Sequence, residues 1–102
     1  MKITMFDGGN GDCILIQSSN TNILIDGGTA DSFENWYSEI KDLGIIHALF
    51  ITHIDNDHTN GIIKLLEKNK LENTPIQINN IYFNGIEQLF KDEYGSLIES
   101  VA

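Results

Sequence analysis

The sequence predicts a mixed α/β domain that opens with antiparallel strands and continues through alternating helices and strands. Three observations carry this. Apolar stretches at 2–6, 13–17 and 23–25 are separated by short clusters of Gly, Asn, Asp and Ser. Strands joined so briefly pair antiparallel, because a parallel pair needs a long crossover. Phe33, Trp36, Tyr37, Ile40 and Leu43 then recur on one face of a 3.6-residue period. Finally, Ile45 to Thr52 is a nearly unbroken apolar run, as in a strand covered on both faces.

Each element follows from its residues. Lys2 to Phe6 reads as the first strand, and Asp7 to Asp12 as a turn whose Gly, Asn and Asp tolerate positive φ. Cys13 to Gln17 is the second strand, Ser18 to Asn22 a hairpin connection, and Ile23 to Ile25 the third strand, stopped by Asp26-Gly27-Gly28. Asp31 and Glu34 have the spacing of a capping box, and Gly44 ends the first helix. The strand Ile45 to Thr52 leads through a polar loop to a second helix, Asn60 to about Lys70, with Ile62, Ile63, Leu65 and Leu66 on its apolar side. Pro75 precedes a strand from Ile76 to Phe83. From about Gly85 onward, Ile86, Leu89, Phe90, Tyr94, Leu97, Ile98 and Val101 return to helical spacing, weakened locally by Gly95. No repeat, linker or low-complexity segment interrupts residues 1–102, which read as one domain or part of one.

Composition excludes several classes. A chain of 102 residues allows one small domain that buries only about 65% of its unfolded surface. The single Cys13 makes no internal disulfide, so a disulfide-stapled secreted scaffold is out. The net charge is −9 and there is no Arg, which argues against a basic nucleic-acid-binding module. Asp7 interrupts the N-terminus before an apolar signal region forms, and no apolar run approaches the ~20 residues of a spanning helix. The expected compartment is the cytoplasm, with no membrane association.

The chemically informative stretch is Thr52-His53-Ile54-Asp55-Asn56-Asp57-His58-Thr59-Asn60-Gly61. Four metal-competent side chains, His53, Asp55, Asp57 and His58, fall within six residues between a buried strand and a helix. Imidazole and carboxylate together suit zinc, manganese or iron without choosing among them. His53 and Asp55 face the same way in extended geometry, whereas Asp57 and His58 diverge, an arrangement able to feed two neighbouring metals. By itself such a loop is as readily turn and cap chemistry, with Asp57 or Thr59 capping the helix from Asn60. Other candidates read as structural. His47 lies on the buried strand and packs. Cys13 sits in an apolar strand without a basic partner and serves as a small hydrophobe. Gly8-Gly9-Asn10-Gly11 lacks the Lys of a phosphate loop.

The stretch resembles the H-x-H-x-D-H signature of the metallo-β-lactamase superfamily. Gly9-Asn10-Gly11-Asp12-Cys13-Ile14-Leu15-Ile16 resembles its early G-x-G-D strand, Ile23-Leu24-Ile25-Asp26-Gly27-Gly28 its I-D-x-G motif, and Phe50-Ile51-Thr52 the strand entering the metal loop. The H-x-D-x-D-H variant is similar to the hydrolase domain of DNA-uptake competence proteins and their soluble relatives. The resemblance covers residues 1 to about 70. It implies the N-terminal half of an αββα sandwich, a mixed sheet with covering helices, and a site for two divalent metals, zinc first and manganese or iron as alternatives. His53 would ligate the first metal and Asp55 take the place of a second His. Asp57 and His58 would ligate the second metal, Asp57 also orienting the attacking water as the catalytic residue. Asp26 would hold the metal loop through hydrogen bonds, with Asp12 supporting the same neighbourhood.

The resemblance also implies a deficit. Superfamily members close the site with a later His, a bridging Asp and a final His, and no His follows His58. Residues 1–102 are then a partial domain, and three readings follow. The chain is the N-terminal half of a longer hydrolase acting on a phosphodiester or other ester-like bond. Or a second chain completes it. Or it is a catalytically inactive half-domain that serves as a protein-interaction module. The resemblance favours a nucleic acid or nucleotide substrate, although the acidic balance opposes tight polyanion binding by this half.

Overall fold

The computed structural model describes residues 1–9, 11–53 and 56–83, the side chains of residues 56–58 excepted. The helix expected from about Gly85 lies outside the described residues.

The antiparallel opening is present. β1 (Lys2–Met5), β2 (Ile14–Ser18) and β3 (Thr21–Ile25) form a meander in which Met5 is level with Ile14 and Ile14 with Ile25. A short 3-10 helix (Ala30–Asn35) and α1 (Tyr37–Leu43) carry the chain across to β4 (Ile45–Ile46) and β5 (Ala48–Ile51). β5 pairs parallel with β3. α2 (Asn56–Leu71) leads to β6 (Gln77–Ile78) and β7 (Ile81–Phe83), and β7 pairs parallel with β5. The main sheet has the order β1-β2-β3-β5-β7, and β4 and β6 form a small parallel pair of their own. The fold class is thus the expected mixed α/β arrangement with antiparallel N-terminal strands.

Five details differ from the sequence reading, and in three of them a hydrogen bond to a residue outside the element overrides the local pattern. The Asp31/Glu34 capping box does not form. Thr29 is the N-cap without a side-chain bond, and the Ser32 hydroxyl donates back to its carbonyl at 2.8 Å. The helical stripe is broken at Trp36, whose buried indole N–H donates to the Gly27 carbonyl at 3.1 Å. The run Ile45 to Thr52 is two strands, not one. At the break, the His47 N–H donates to the Asn22 carbonyl and His47 Nδ1 accepts the Asn22 N–H, at 2.8 and 2.9 Å. Likewise Ile76 to Phe83 splits into β6 and β7, with the Asn79 N–H donating to the Ile46 carbonyl at 3.1 Å. α2 also begins at Asn56, four residues before the expected start.

The core lies on one side of the main sheet. Leu15, Leu24 and Leu49 stand level across β2, β3 and β5 and are fully buried. Against them pack Trp36 and Ile40 from the first helical segment and Ile62, Leu65 and Leu66 from α2. Asn69, also buried, brackets Ile76 with bonds to its carbonyl and from its N–H at 2.8 and 3.0 Å, fixing the return of the chain after Pro75. The other face is apolar and, among the described residues, without equivalent cover. Met5, Ile14, Ile25, Phe50 and Tyr82 form one row and Ile3, Ile16, Ile23 and Ala48 the next. Met5 is 75% exposed and Ile3 57%.

α2 is seated through glycines. A Cβ at Gly61 would lie 1.8 Å from the Gly27 carbonyl oxygen, and the Gly61 N–H donates to the Gly28 carbonyl at 3.0 Å. Gly44 has a different reason: φ is +79° at the end of α1, and its surroundings are open. Gly44→Ala is expected to cost about 1–2 kcal/mol from left-handed backbone strain. Gly61→Ala is expected to cost ~3 kcal/mol or more, because α2 must leave its seat. Urea unfolding followed by circular dichroism measures both, and an equal or smaller loss for Gly61→Ala would contradict the contact.

Candidate metal centre

The topology brings the sequence motifs to one sheet edge. β3 and β5 are parallel, so their C-terminal ends, Asp26 and Thr52-His53, emerge side by side. β2 runs the other way and begins at this same edge, next to Asp12 and Cys13, while β1 ends there at Met5. The edge beyond the carboxyl ends of parallel strands is where α/β sheets place ligands.

Asp26 is the hub. Its φ is +57°, uncommon outside Gly, and its carboxylate is buried. The Asp26 N–H donates to the Phe50 carbonyl at 2.9 Å, tying it to β5. Asp26 Oδ1 accepts the Thr52 backbone N–H at 2.8 Å, and Oδ2 accepts the Thr52 hydroxyl. The same hydroxyl oxygen lies 2.8 Å from His53 Nδ1. His53 is exposed at the edge and Asp12 is exposed beside Cys13. Asp55 and the side chains of Asp57 and His58 lie outside the described residues. Asp57 and His58 stand in the first turn of α2 rather than in a free loop. Among the described residues no group of three or more His, Cys, Asp and Glu is assembled.

Thr52 is the residue that the sequence reading passed over. Its signal was available: a hydroxyl side chain at the end of a buried strand, directly before a His. The donor chemistry that is described fits a divalent cation. His53 is held through one ring nitrogen by a polar chain ending in a buried carboxylate, which is how metal-ligating imidazoles are oriented.

His47 and Cys13 are structural, as expected. His47 pairs with the backbone of Asn22. Cys13 is buried, and its thiol is pushed up to about 12, first by burial and then by the negative charge of Asp26. The thiolate is the reactive form, so the shift from 9.0 leaves roughly a thousandfold less of it at pH 8. A disulfide reagent at pH 8 is expected to modify Cys13 in the folded chain about a thousandfold more slowly than in urea. Similar rates in the two states would overturn this assignment.

The sequence profile of the metallo-beta-lactamase superfamily matches residues 6–96. The chain belongs to this superfamily, one of metal-dependent hydrolases whose members generally hold divalent metals, usually zinc. The mixed sheet with helices on one face is the arrangement of the N-terminal half of that fold. Among curated proteins, it is 31% identical over 99 residues to microtubule-associated protein 1A of human, mouse and rat, covering 95% of this chain. It spans 4% of the length of those relatives. Among solved structures, it is similar to the metallo-β-lactamase MIM-1 from Novosphingobium pentaromativorans. The identity is 28% and the TM-score 0.45, over 66% of this chain and 24% of that one. Among the described residues no helix is long and apolar enough to cross a membrane.

Proposed function

We propose that the chain forms half of a two-metal hydrolytic site for a phosphodiester or other ester-like bond, with zinc as the first metal and manganese or iron as alternatives. The supporting observation is the edge at which Asp26, Thr52 and His53 are bonded in series at the ends of two parallel strands. In this reading His53 and Asp55 hold one metal and Asp57 and His58 the other. When bound, divalent metals polarise the bond to be broken and activate water. Asp57, in the first turn of α2, orients that water. Asp26 keeps the strand end and His53 in place, and Asp12 adds negative charge on the flank. The H-x-D-x-D-H order favours a nucleic acid or nucleotide substrate, as in the hydrolase domain of the competence proteins it resembles. The location in this reading is cytoplasmic.

Four ligands are too few for two complete sites. The remaining donors come from a C-terminal half or a second chain, which would also cover the apolar row of Met5, Phe50 and Tyr82. That exposed face also favours a second reading, an inactive protein-interaction module. The curated relatives named for association with microtubules sit more easily with that reading.

The test has two parts. In the assembly that completes the site, Asp57→Ala and His58→Ala are each expected to abolish hydrolysis of a chromogenic phosphodiester. Unchanged turnover would remove the motif from the mechanism. Intact mass and metal content of the native gene product separate the readings: a 102-residue mass without metal, with a co-purifying protein, supports the interaction module instead.

A further inference from the structure

β1 is the first strand of the main sheet and pairs on one side only, with β2. The ladder shows which of its backbone groups face outward. The Phe6 N–H donates to the Cys13 carbonyl at 2.9 Å, so Phe6 and Cys13 are a hydrogen-bonded pair. Bonded and non-bonded pairs alternate in an antiparallel ladder. Lys2 and Thr4 therefore bond to β2, while the N–H and C=O of Ile3 and Met5 point away from it. The same two residues carry exposed apolar side chains, 57% and 75% accessible. Sheet edges are ordinarily blunted by Pro, bulges or charges. β1 pairs residue for residue with β2, contains no Pro, and has Lys2 as its one charged residue.

We infer that β1 is a dimerisation edge, and that its occupant is β1 of a second copy of this chain, antiparallel about a twofold axis at Thr4. Three observations favour a second copy in this register. The outward groups of Ile3 in one copy meet those of Met5 in the other, and each such pair exchanges two backbone hydrogen bonds. The Thr4 hydroxyl oxygen is buried and, among the described residues, has no hydrogen-bond partner. On the twofold the two Thr4 residues are a close, non-bonded pair, where one hydroxyl donates to the other. Lys2 of each copy comes across from Phe6 and beside Asp7 of the other, so opposite charges meet; parallel pairing would set like charges side by side. A twofold contact of this kind is closed, because each copy uses its β1 edge once. β1 ends at the edge that carries Asp26 and His53. The twofold sends the two such edges to opposite ends of the joined sheet, so this contact is separate from one that would close the metal centre.

The experiment is sedimentation equilibrium of the 102-residue chain over a wide concentration range, in moderate salt to screen the repulsion between two chains of net charge −9. A reversible monomer–dimer equilibrium is expected. Ile3→Pro removes an outward donor from each copy and leaves the ladder to β2 intact, as edge strands allow. It is expected to raise the dissociation constant roughly tenfold or more. Thr4→Val keeps the side-chain shape, removes the hydroxyl and is expected to weaken the dimer too. Phe50→Ser, on the apolar face away from β1, is expected to leave it unchanged. Amide dispersion verifies folding, and Thr4→Val with Phe50→Ser decides the matter if Ile3→Pro does not fold. Disulfide cross-linking reads the register. Thr4→Cys chains are expected to join readily, and Ile3→Cys chains, held on a diagonal about 7–8 Å apart, slowly. A monomer at every concentration, or a dimer that survives Ile3→Pro and dissociates in Phe50→Ser, would overturn the assignment. Faster joining of Ile3→Cys than of Thr4→Cys would overturn the twofold at Thr4.

Discussion

The approach of two backbones at Gly27 and Gly61 governs the geometry of the functional edge. Helices usually keep their distance from a sheet because side chains lie between them. Here no side chain intervenes: a Cβ at Gly27 would lie 2.6 Å from the Ile62 nitrogen, and one at Gly61 would enter the Gly27 carbonyl. The Gly61 N–H bonded to the Gly28 carbonyl then locks the helix to the end of β3. The first turn of α2, with Asp57 and His58, is thereby held next to the turn that begins at Asp26. Gly8 extends the same packing. Its carbonyl accepts the Thr29 N–H at 3.0 Å, and a Cβ at Gly28 would lie 2.6 Å from that carbonyl oxygen. Two glycine-bearing turns and the helix that carries Gly61, from distant parts of the chain, therefore close on one another.

On that base a strained residue becomes affordable. Asp26 takes a left-handed backbone conformation and buries a carboxylate, two unfavourable choices at one position. Both are offset locally. The backbone N–H is satisfied by Phe50, and two donors from Thr52 reach the carboxylate. The charge is still felt in the interior, since it helps to hold the Cys13 thiol up. A buried negative charge near an imidazole at this candidate edge is an electrostatic arrangement that favours a cation there.

The parts legible in the sequence were those set by neighbours along the chain. Gly, Asn and Asp clusters marked the meander of β1 to β3, Gly44 ended α1, and the apolar stripe of Phe33, Trp36, Tyr37 and Ile40 named core residues correctly. What escaped was set by partners far away in sequence. His47 breaks its strand because Asn22, on another strand, takes both its backbone N–H and its ring nitrogen. Trp36 breaks its helix toward the carbonyl of Gly27. Thr52 looked like an ordinary β-branched strand residue because its hydroxyl acquires meaning only when β3 brings Asp26 alongside. The motif residues themselves were visible by spacing, but spacing does not say that Asp57 and His58 begin a helix.

Topology also explains why the described helices all lie on one face of the sheet. The chain steps from β3 to β5 and from β5 to β7, always in the same direction across the sheet. Parallel crossovers are right-handed, so successive steps in one direction put their helices on the same face. A doubly wound sheet covers both faces only by reversing direction, and the described strands contain no such reversal. Both helical connections therefore pack over Leu15, Leu24 and Leu49, and neither reaches the rows headed by Ile3 and Met5. Those rows are nevertheless apolar and carry no charged side chain, so the net charge of −9 is borne elsewhere. Polar alternation is what an antiparallel face turned to water normally shows. Its absence here means the sequence is patterned for a sheet buried on both sides.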